Sequence, residues 1–312
     1  MTPAIPETPL KLGTRRSPLA MAQAHEARAR LCAAHGWPED MVELVPVTAS
    51  GDKVQDRPLA EIGGKALWTK ELDAWLISGE IDFAVHSMKD VETVRPEEFT
   101  IAAVLPRADV RDVLVGAPSI HAILPGARVG TSAPRRAAQM LHARSDLTIV
   151  GFRGNVATRL AKLQAGEAEV TLLAAAGLER LGETGVGHPL SEFEWLPAPA
   201  QGAIGIECLA ARSDLRHWLA AIDDTPSHDA IHAERALLLA LGGNCHSPIA
   251  VLTTTHASSI TLRAAIFSPD GAERTEASET FAPHDSDGPA RLARRLLAEA
   301  PEAITVHFSG AP

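Results

Sequence analysis

Residues 81–90 read Ile-Asp-Phe-Ala-Val-His-Ser-Met-Lys-Asp. In the first half of this stretch, large apolar side chains occupy every second position, which predicts a β-strand that ends close to Ser87. Lys89 and Asp90 follow just beyond that end. Ligands of open α/β sheets bind outside the carboxyl ends of strands, so Asp90 is a candidate functional residue. The alternative interpretation is a solvated pair of charges on a loop.

Strands and helices alternate before this stretch. Residues 10–14 predict a short strand, and Ser17, followed by a proline, carries the start signals of a helix that runs to about Gly36. Residues 41–47 predict another strand, and an amphipathic helix ends near Gly79. This alternation predicts a mainly parallel α/β sheet.

A second alternation of the same kind lies between residues 112 and 196. Helices are predicted to begin at Pro134 and after Asn155. The proline-rich stretch 196–200 then leads into a strand predicted over 203–208. We expect this strand to return the chain to the first sheet.

The last third of the chain has a different pattern. A helix is predicted from Thr225 to about Gly242, and the remainder, including 259–264 and 303–308, alternates like an antiparallel sheet with one late helix. A chain of 312 residues exceeds what one hydrophobic core usually supports. We therefore expect a third, smaller domain here.

Composition excludes several classes of protein. Apolar residues make up 46% and charged residues 22%, which is typical of a globular protein and not of a disordered or fibrous one. A net charge of −10 argues against nucleic-acid binding, which requires a broad positive field. The N-terminus shows no secretory pattern and no apolar run is as long as a membrane span, so we expect a cytoplasmic protein.

Six arginines lie beside predicted helix starts: Arg15, Arg16, Arg135, Arg136, Arg153 and Arg159. Guanidinium groups bind carboxylates in a bidentate manner, and the N–H groups of a helix start also favour anions. The pattern therefore indicates a ligand with several carboxylates bound in one cleft. Solvent-exposed arginines that serve only solubility are the alternative.

The three cysteines differ in their surroundings, and no Cys-x-x-Cys spacing pairs them. Cys32 lies inside the first helix and Cys208 shares strand parity with apolar residues, so both are expected to be buried and inert. Cys245 follows a predicted helix end in a glycine-rich loop, where its thiol is chemically available. Cys245 with His246 also leaves open a cysteine hydrolase or a metal site, but no ligand-spaced pair accompanies them.

The chain resembles the hydroxymethylbilane synthase (porphobilinogen deaminase) family over nearly its whole length, to the end of the third domain. The segments that carry the resemblance are 12–20, 82–91, 130–136, 153–160 and 201–207. The resemblance implies an α/β fold of two periplasmic-binding-protein-like domains, each with a mainly parallel, mixed five-stranded sheet. A small C-terminal α+β domain with an antiparallel sheet follows them. We place the domains at 7–105 with 200–220, at 111–196 and at 225–312.

The resemblance also implies an activity and a cofactor. Four porphobilinogen molecules are deaminated and joined head to tail on a dipyrromethane primer, and hydrolysis then releases hydroxymethylbilane. The primer is held by a thioether that matches Cys245. Asp90 matches the catalytic aspartate, which would stabilise the cationic azafulvene left by loss of ammonia. Further matches are Lys89, Asp90, Thr131, Ser132, Arg135 and Arg136 to cofactor binding, and Arg15, Ser17, Lys65, Arg153, Arg159 and Gln201 to substrate binding.

The chain departs from the family pattern at five positions: Glu61, Trp68, Ala133, Pro134 and Asn244. Glu61 stands where a lysine is frequent, and its charge would repel substrate carboxylates if it faced the site. Each porphobilinogen brings an acetate and a propionate, so the growing chain accumulates the carboxylates that the arginines favour.

A hypothesis from another class is a non-catalytic solute-binding protein of the same architecture, because fold does not dictate function. Such a protein usually carries an export signal, which the N-terminal residues lack. We therefore expect a cytoplasmic, monomeric transferase. Porphobilinogen is its expected partner, and we expect no metal, nucleic acid or membrane.

Overall fold

The computed structural model describes residues 6–47, 67–244, 246–283 and 285–308. The chain forms two compact units: unit 1 comprises Met1–Ala108 and Ala203–His228, and unit 2 comprises Asp109–Gly202 and Asp229–Pro312. Among the described residues, no helix is both long and apolar enough to cross a membrane.

Thirteen strands and nine helices are present within those residues. The strands are β1 (Leu10–Arg15), β2 (Val42–Val47), β3 (Phe83–Ser87), β4 (Phe99–Val104), β5 (Asp112–Val115), β6 (Arg128–Gly130), β7 (Thr148–Val150), β8 (Val170–Ala174), β9 (His188–Pro189), β10 (Ile204–Leu209), β11 (Ile249–His256), β12 (Ser259–Phe267) and β13 (Arg274–Phe281). The helices are α1 (Pro18–His35), α2 (Leu67–Ser78), α3 (Pro134–Ala143), α4 (Val156–Gln164), α5 (Ala175–Arg180), α6 (Ser213–Leu219), α7 (Thr225–Ala240), α8 (Gly288–Glu299) and α9 (Glu302–Thr305).

Unit 1 is built on a five-stranded mixed sheet with the strand order β2-β1-β3-β10-β4. β1 pairs in parallel with β2 and β3, whereas β10 runs antiparallel to both β3 and β4. Four strands therefore point in one direction. The position of β10 confirms that the chain returns to the first sheet after the proline-rich stretch 196–200.

Helix α1 begins and ends where local signals predict it. The Ser17 hydroxyl accepts a hydrogen bond from the N–H of Ala20, and Gly36 caps the other end with a φ of 67°. The face of α1 that packs on the sheet carries small and branched side chains, among them Ala24 and Leu31. The sequence prediction of this helix is confirmed.

Cys32 and Cys208 lie in the same apolar cluster of unit 1 as α1 and the sheet. Burial raises the pKa of the Cys208 thiol to about 11 and also raises the pKa of Cys32. The prediction that both cysteines are buried is confirmed, and burial also keeps their thiols protonated.

Unit 2 contains a second five-stranded mixed sheet with the order β7-β6-β8-β5-β9, and again one strand, β5, runs against the other four. Helix α4 begins where Asn155 accepts a hydrogen bond from the N–H of Thr158 at 2.9 Å. A separate antiparallel sheet, β11-β12-β13, packs against α8 around its own apolar cluster. The α/β class with two mixed sheets and one small antiparallel sheet is confirmed.

The prediction of a strand-like segment over 303–308 is wrong. Residues Glu302–Thr305 form the short helix α9, which begins directly after Pro301. Ile304 and Phe308, four residues apart, are both buried in the cluster around the small sheet. A spacing of four residues corresponds to about one helical turn. The segment therefore has a helical period, and the period of two that predicted a strand is wrong.

Candidate functional site

Asp90 lies on a short turn at the carboxyl end of β3. Residues Met88–Asp90 form one turn of 3₁₀ helix directly after Ser87. Met88 is almost fully buried, Lys89 is half-buried and Asp90 is exposed. The structure thus places Lys89 and Asp90 beyond the strand end, as the sequence predicts, with their backbone fixed by a buried neighbour.

Two backbone hydrogen bonds and one close packing contact hold this turn. The N–H of Met88 donates to the carbonyl of Ala203 at 3.1 Å, and the N–H of Val91 donates to the carbonyl of Met88 at 3.3 Å. The Met88 side chain lies against Gly205 on β10, where an added Cβ would be 2.0 Å from the Met88 sulfur. The turn is therefore tied to Ala203 by its backbone and to β10 by the Met88 side chain.

A buried polar cluster fixes the strand that leads into the turn. His86 Nε2 is 3.0 Å from a carboxylate oxygen of Glu207. Arg95 donates to both oxygens of Glu207, at 2.8 and 3.0 Å, and also binds both oxygens of Asp73 on α2. Burial alone would raise the pKa of Glu207, but hydrogen bonds to His86 and Arg95 hold it below its ordinary value.

Sequence reasoning missed the role of this cluster. A signal was present, because Glu207 is a carboxylate in the middle of the apolar strand Ile204–Leu209, and a buried carboxylate requires charged or hydrogen-bonding partners. Arg95 and Asp73 could not be assigned to it, since neither sits in a recognisable motif.

Arg15 and Ser17 lie at the end of β1 and the start of α1. Arg15 is half-buried. The Ser17 hydroxyl already accepts the helix-capping hydrogen bond from Ala20. Arg16 is exposed and donates to the carbonyl of Pro46 at 3.4 Å. Lys65 and Glu61 lie outside the described residues, so the predictions made for them stay predictions.

Thr131 and Ser132 connect β6 to α3 in unit 2. Thr131 is buried, and its hydroxyl accepts a hydrogen bond from the N–H of Ala133 at 3.2 Å, while Ser132 is exposed. Pro134 occupies the first position of α3, and Ala133 provides no side-chain cap. Ala133 and Pro134, which both depart from the family pattern, are therefore compatible with a regular helix start.

Asp112, at the start of β5, is the centre of a buried hydrogen-bond network that the sequence analysis did not identify. Its carboxylate is fully buried and accepts five hydrogen bonds. The donors are Arg135 Nη2 (2.7 Å), Arg136 Nε (3.2 Å), Arg136 Nη2 (2.7 Å), Trp195 Nε1 (2.8 Å) and Gln201 Nε2 (2.9 Å). Burial alone would raise the pKa of Asp112, but the two guanidinium charges hold it well below its usual range.

Arg135 and Arg136 are both about 5% exposed, so neither is a solubility residue on the surface. In the described part of the chain, Asp112 is the one carboxylate within ion-pair distance of either guanidinium group. Two buried positive charges thus share one buried negative charge. The Nε of Arg135 is also buried without a hydrogen-bond partner among the described residues. Buried charges require compensation, and the carbonyls of Leu196 and Leu172 also accept hydrogen bonds from Arg135 Nη1 and Arg136 Nη1, at 2.9 and 2.8 Å.

Arg153 and Arg159 flank the start of α4. Arg153 is half-buried, and its Nη1 is buried without a hydrogen-bond partner within the described ranges. Arg159 donates through Nε to the carbonyl of Gly154 at 3.1 Å. Gly154 has a φ of 107°, a conformation that favours glycine, and this lets the backbone turn between the two arginines.

Gln201 is buried next to Asp112. Its amide nitrogen donates to the carbonyl of Val110 at 2.7 Å and to Asp112 Oδ1 at 2.9 Å. The residue before it, Ala200, has a φ of 59°, and its N–H donates to a carboxylate oxygen of Glu234. Within unit 2, Gln201 therefore supports the Asp112 network directly.

Cys245 lies outside the described residues, and hydrogen bonds link the residues on its two sides. The N–H of Asn244 donates to the Ser247 hydroxyl at 3.0 Å, and the N–H of His246 donates to Asn244 Oδ1 at 2.9 Å. Gly242, after the end of α7, has a φ of 66°. The Asn244 side chain, a departure from the family pattern, thus accepts a hydrogen bond from the backbone of His246.

Comparison with known proteins gives full-length matches. The family model "Porphobilinogen deaminase, dipyromethane cofactor binding domain" matches residues 10–217, and "Porphobilinogen deaminase, C-terminal domain" matches residues 229–300. Porphobilinogen deaminase of Sphingopyxis alaskensis is 55% identical over 98% of this chain and 98% of its own length. The proteins of the same name from Paracoccus denitrificans and Nitrobacter winogradskyi are 48% and 44% identical over 95% and 96% of this chain, and each is covered over 96% of its length.

Among solved structures, a periplasmic His/Glu/Gln/Arg/opine family-binding protein from Silicibacter pomeroyi is 18% identical over 72% of this chain and 94% of that chain, with a TM-score of 0.36. A likeness this weak supports no argument, and the fold rests on the strand orders given above. The family models, in contrast, match the sequence from the first strand, β1, to the last long helix, α8. The chain belongs to the porphobilinogen deaminase family.

Proposed function

We propose that this chain is a hydroxymethylbilane synthase, which deaminates four porphobilinogen molecules and joins them head to tail on a dipyrromethane primer. Relatives that match it over 95% or more of its length carry the name porphobilinogen deaminase. The structural observation that supports the proposal most directly is the buried Arg135 and Arg136 pair, for which Asp112 is the one carboxylate partner among the described residues.

The residues of the Asp112 network fit a primer that bears acetate and propionate groups. One positive charge of the buried pair is left for a ligand carboxylate, and an oxygen acceptor near the unpartnered Nε of Arg135 would satisfy that atom. We assign Thr131, Ser132 and Lys89 to the same ligand. Arg15, Ser17, Lys65, Arg153, Arg159 and Gln201 are assigned to substrate carboxylates and to the groups that orient them.

Asp90 is assigned as the catalytic carboxylate. Loss of ammonia from porphobilinogen generates a positive charge on the substrate, and an exposed carboxylate on a fixed turn stabilises that charge at the moment it forms. Asp90 also lies at a strand end, where it can accept hydrogen bonds from pyrrole N–H groups or transfer a proton.

Cys245 is assigned as the attachment point of the primer through a thioether. When bound, the primer would supply the nucleophilic pyrrole carbon that takes the first unit, and the free carbon of each added unit would take the next. The hydrogen bonds that link Asn244 to Ser247 and to His246 support this assignment. Cys32 and Cys208 are buried and carry raised thiol pKa values, so they do not compete.

The experiment is to incubate the purified holoenzyme with porphobilinogen and to follow both its consumption and the appearance of hydroxymethylbilane by chromatography. The proposal predicts release of one tetrapyrrole for four porphobilinogen molecules consumed. Binding of porphobilinogen without consumption would instead support the solute-binding alternative. A preparation that neither binds nor consumes porphobilinogen would contradict both.

We further propose that the protein acts in the cytoplasm as a monomer, without nucleic acid or membrane partners. The net charge of −10 supports the absence of a nucleic-acid partner. The three-domain division, with residues 225–312 as a separate domain, is also a proposal, supported by the separate sheet and apolar cluster found there. Light scattering of the purified protein tests the monomer directly.

A further inference from the structure

We propose that Met88 and Gly205 are positioning residues for Asp90. The Met88 side chain occupies the space that a side chain at position 205 would fill, and this contact sets the orientation of the turn that carries the Asp90 carboxylate. The inference rests on the proposed function, in which Asp90 is the catalytic carboxylate.

The contact accounts for the glycine at position 205. An ideal Cβ at this position would be 2.0 Å from the Met88 sulfur and 2.9 Å from its Cγ. Non-bonded heavy atoms are ordinarily about 3.5–4.0 Å apart. Gly205 lies within strand β10 without a positive φ, so its backbone conformation does not require glycine. Glycine is required at position 205 because the Met88 side chain fills the space that a Cβ would occupy.

Movement of Met88 is transmitted to Asp90 because both belong to one short turn. Met88 is 1% exposed, whereas Asp90, two residues later, is exposed and is not fixed by burial of its own. The backbone of the turn is tied to Ala203 and closed by the N–H of Val91. A side chain at position 205 would push the sulfur by about 1.5 Å to reach ordinary contact distance, and the turn would move with it.

A second anchor on the same strand supports this interpretation. Glu207 lies two residues after Gly205 and therefore on the same face of β10. It contacts His86, which pairs with Gly205 across the sheet. The polar contact fixes β3 itself, and the Met88 contact fixes the turn beyond it. Ordinary core packing at Gly205 is the alternative, and it predicts a loss of stability without a change in catalysis.

The test compares Gly205→Ala with Gly13→Ala in the holoenzyme. Gly13 on β1 of the same sheet is a matched control, because a Cβ there would be 2.3 Å from the end of the Ile81 side chain. Its strand partner Ala84 lies near the start of β3, at the end of that strand away from the Asp90 turn. Overpacking of this kind destabilises the folded state in either variant. We measure kcat and KM with porphobilinogen, the melting temperature, and the fraction of cofactor-loaded protein by intact mass.

We expect both variants to melt at a lower temperature and both to carry the cofactor. Gly205→Ala should lose kcat by a factor on the order of 10² with little change in KM, the effect expected of an ångström-scale misplacement of a catalytic group. Gly13→Ala should keep the wild-type kcat. Equal kcat values, per loaded molecule, for the two variants would overturn the proposal. A wild-type protein without turnover would instead contradict the proposed function.

A second pair of variants tests the proposal if Gly205→Ala does not fold. Met88→Leu conserves the side-chain volume, whereas Met88→Ala removes the contact without overpacking. We expect Met88→Leu to keep most of the wild-type kcat and Met88→Ala to lose it. If Met88→Ala turns over as fast as Met88→Leu, the Met88 contact does not position Asp90.

Discussion

Substitution Asp112→Asn removes the negative charge from the centre of the buried network in unit 2. The new amide can keep one oxygen as an acceptor for Arg136 Nη2 and Gln201 Nε2. Its NH₂ group would then face three donors that now bind the other oxygen at 2.7, 3.2 and 2.8 Å: Arg135 Nη2, Arg136 Nε and Trp195 Nε1. Each unsatisfied donor costs about 1–3 kcal/mol.

Loss of the Asp112 charge also destabilises the folded state, in addition to the unsatisfied donors. Removal of one partner from a buried ion pair destabilises a protein by about 3–5 kcal/mol, since the remaining charge is left uncompensated. Here two guanidinium groups, each about 5% exposed, would be left without a counter-charge. We therefore expect the free energy of unfolding of unit 2 to fall by about 3–5 kcal/mol.

Urea unfolding followed by ¹⁹F NMR of 5-fluorotryptophan-labelled protein measures this effect in unit 2 alone. Trp195 is the one tryptophan among residues 109–202 and 229–312, and Trp195→Phe assigns its resonance. The matched control is Asp109→Asn, because Asp109 pairs with Arg111 where the two side chains are 30% and 40% exposed. Such a pair contributes about 0–1 kcal/mol. A loss in Asp112→Asn no larger than that of Asp109→Asn would refute the reasoning.

Three further predictions follow from the structure. Asp90→Asn should keep the cofactor, as measured by intact mass, and lose kcat by a factor on the order of 10²–10³; an unchanged kcat would exclude Asp90 as the catalytic carboxylate. The stability advantage of the wild type over Glu207→Gln should be full above the ordinary glutamate pKa of about 4.3. This advantage should shrink as the pH falls through the lower pKa that His86 and Arg95 impose on Glu207 in the folded state. Urea titrations at acidic pH measure it, and a stability difference between the two proteins that stays constant there argues against the role of His86 and Arg95. Cys32 and Cys208 should resist iodoacetamide in the folded protein near neutral pH, because both thiols are buried and the pKa of Cys208 is about 11; rapid alkylation of either, seen by peptide mass mapping, is the contrary result.

The parts of the fold that the sequence predicts are those set by local signals. Ser17 and Gly36 fix the two ends of α1 through hydrogen bonds and a left-handed backbone within the helix itself. The strand that leads to Asp90 follows from a period of two in adjacent residues. Both depend on neighbours in the chain, so one sequence is enough to identify them.

The parts that the sequence does not predict depend on contacts between distant residues. Asp112 collects donors from α3, from Trp195 and from Gln201, and no spacing in the chain connects them. Arginines at a helix start indicate an anion, but they do not say whether that anion is a ligand or a protein carboxylate. The contact of Gly205 with Met88 is hidden for the same reason. For Ile304 and Phe308, a short amphipathic helix and a strand give similar patterns, and only packing decides between them.

Intact mass spectrometry of the purified protein, before and after addition of limiting porphobilinogen, tests the central claim most directly. Our account predicts a starting mass that exceeds the sequence mass by two pyrrole units, with further species that each gain one unit. Each protein molecule should return to the starting mass when it releases a tetrapyrrole, so no species should carry more than four added units. The variant Cys245→Ser should show the bare sequence mass and no pyrrole adducts. A wild-type protein at its bare sequence mass that still converts porphobilinogen, or a Cys245→Ser variant that keeps the two-pyrrole excess, would contradict the account.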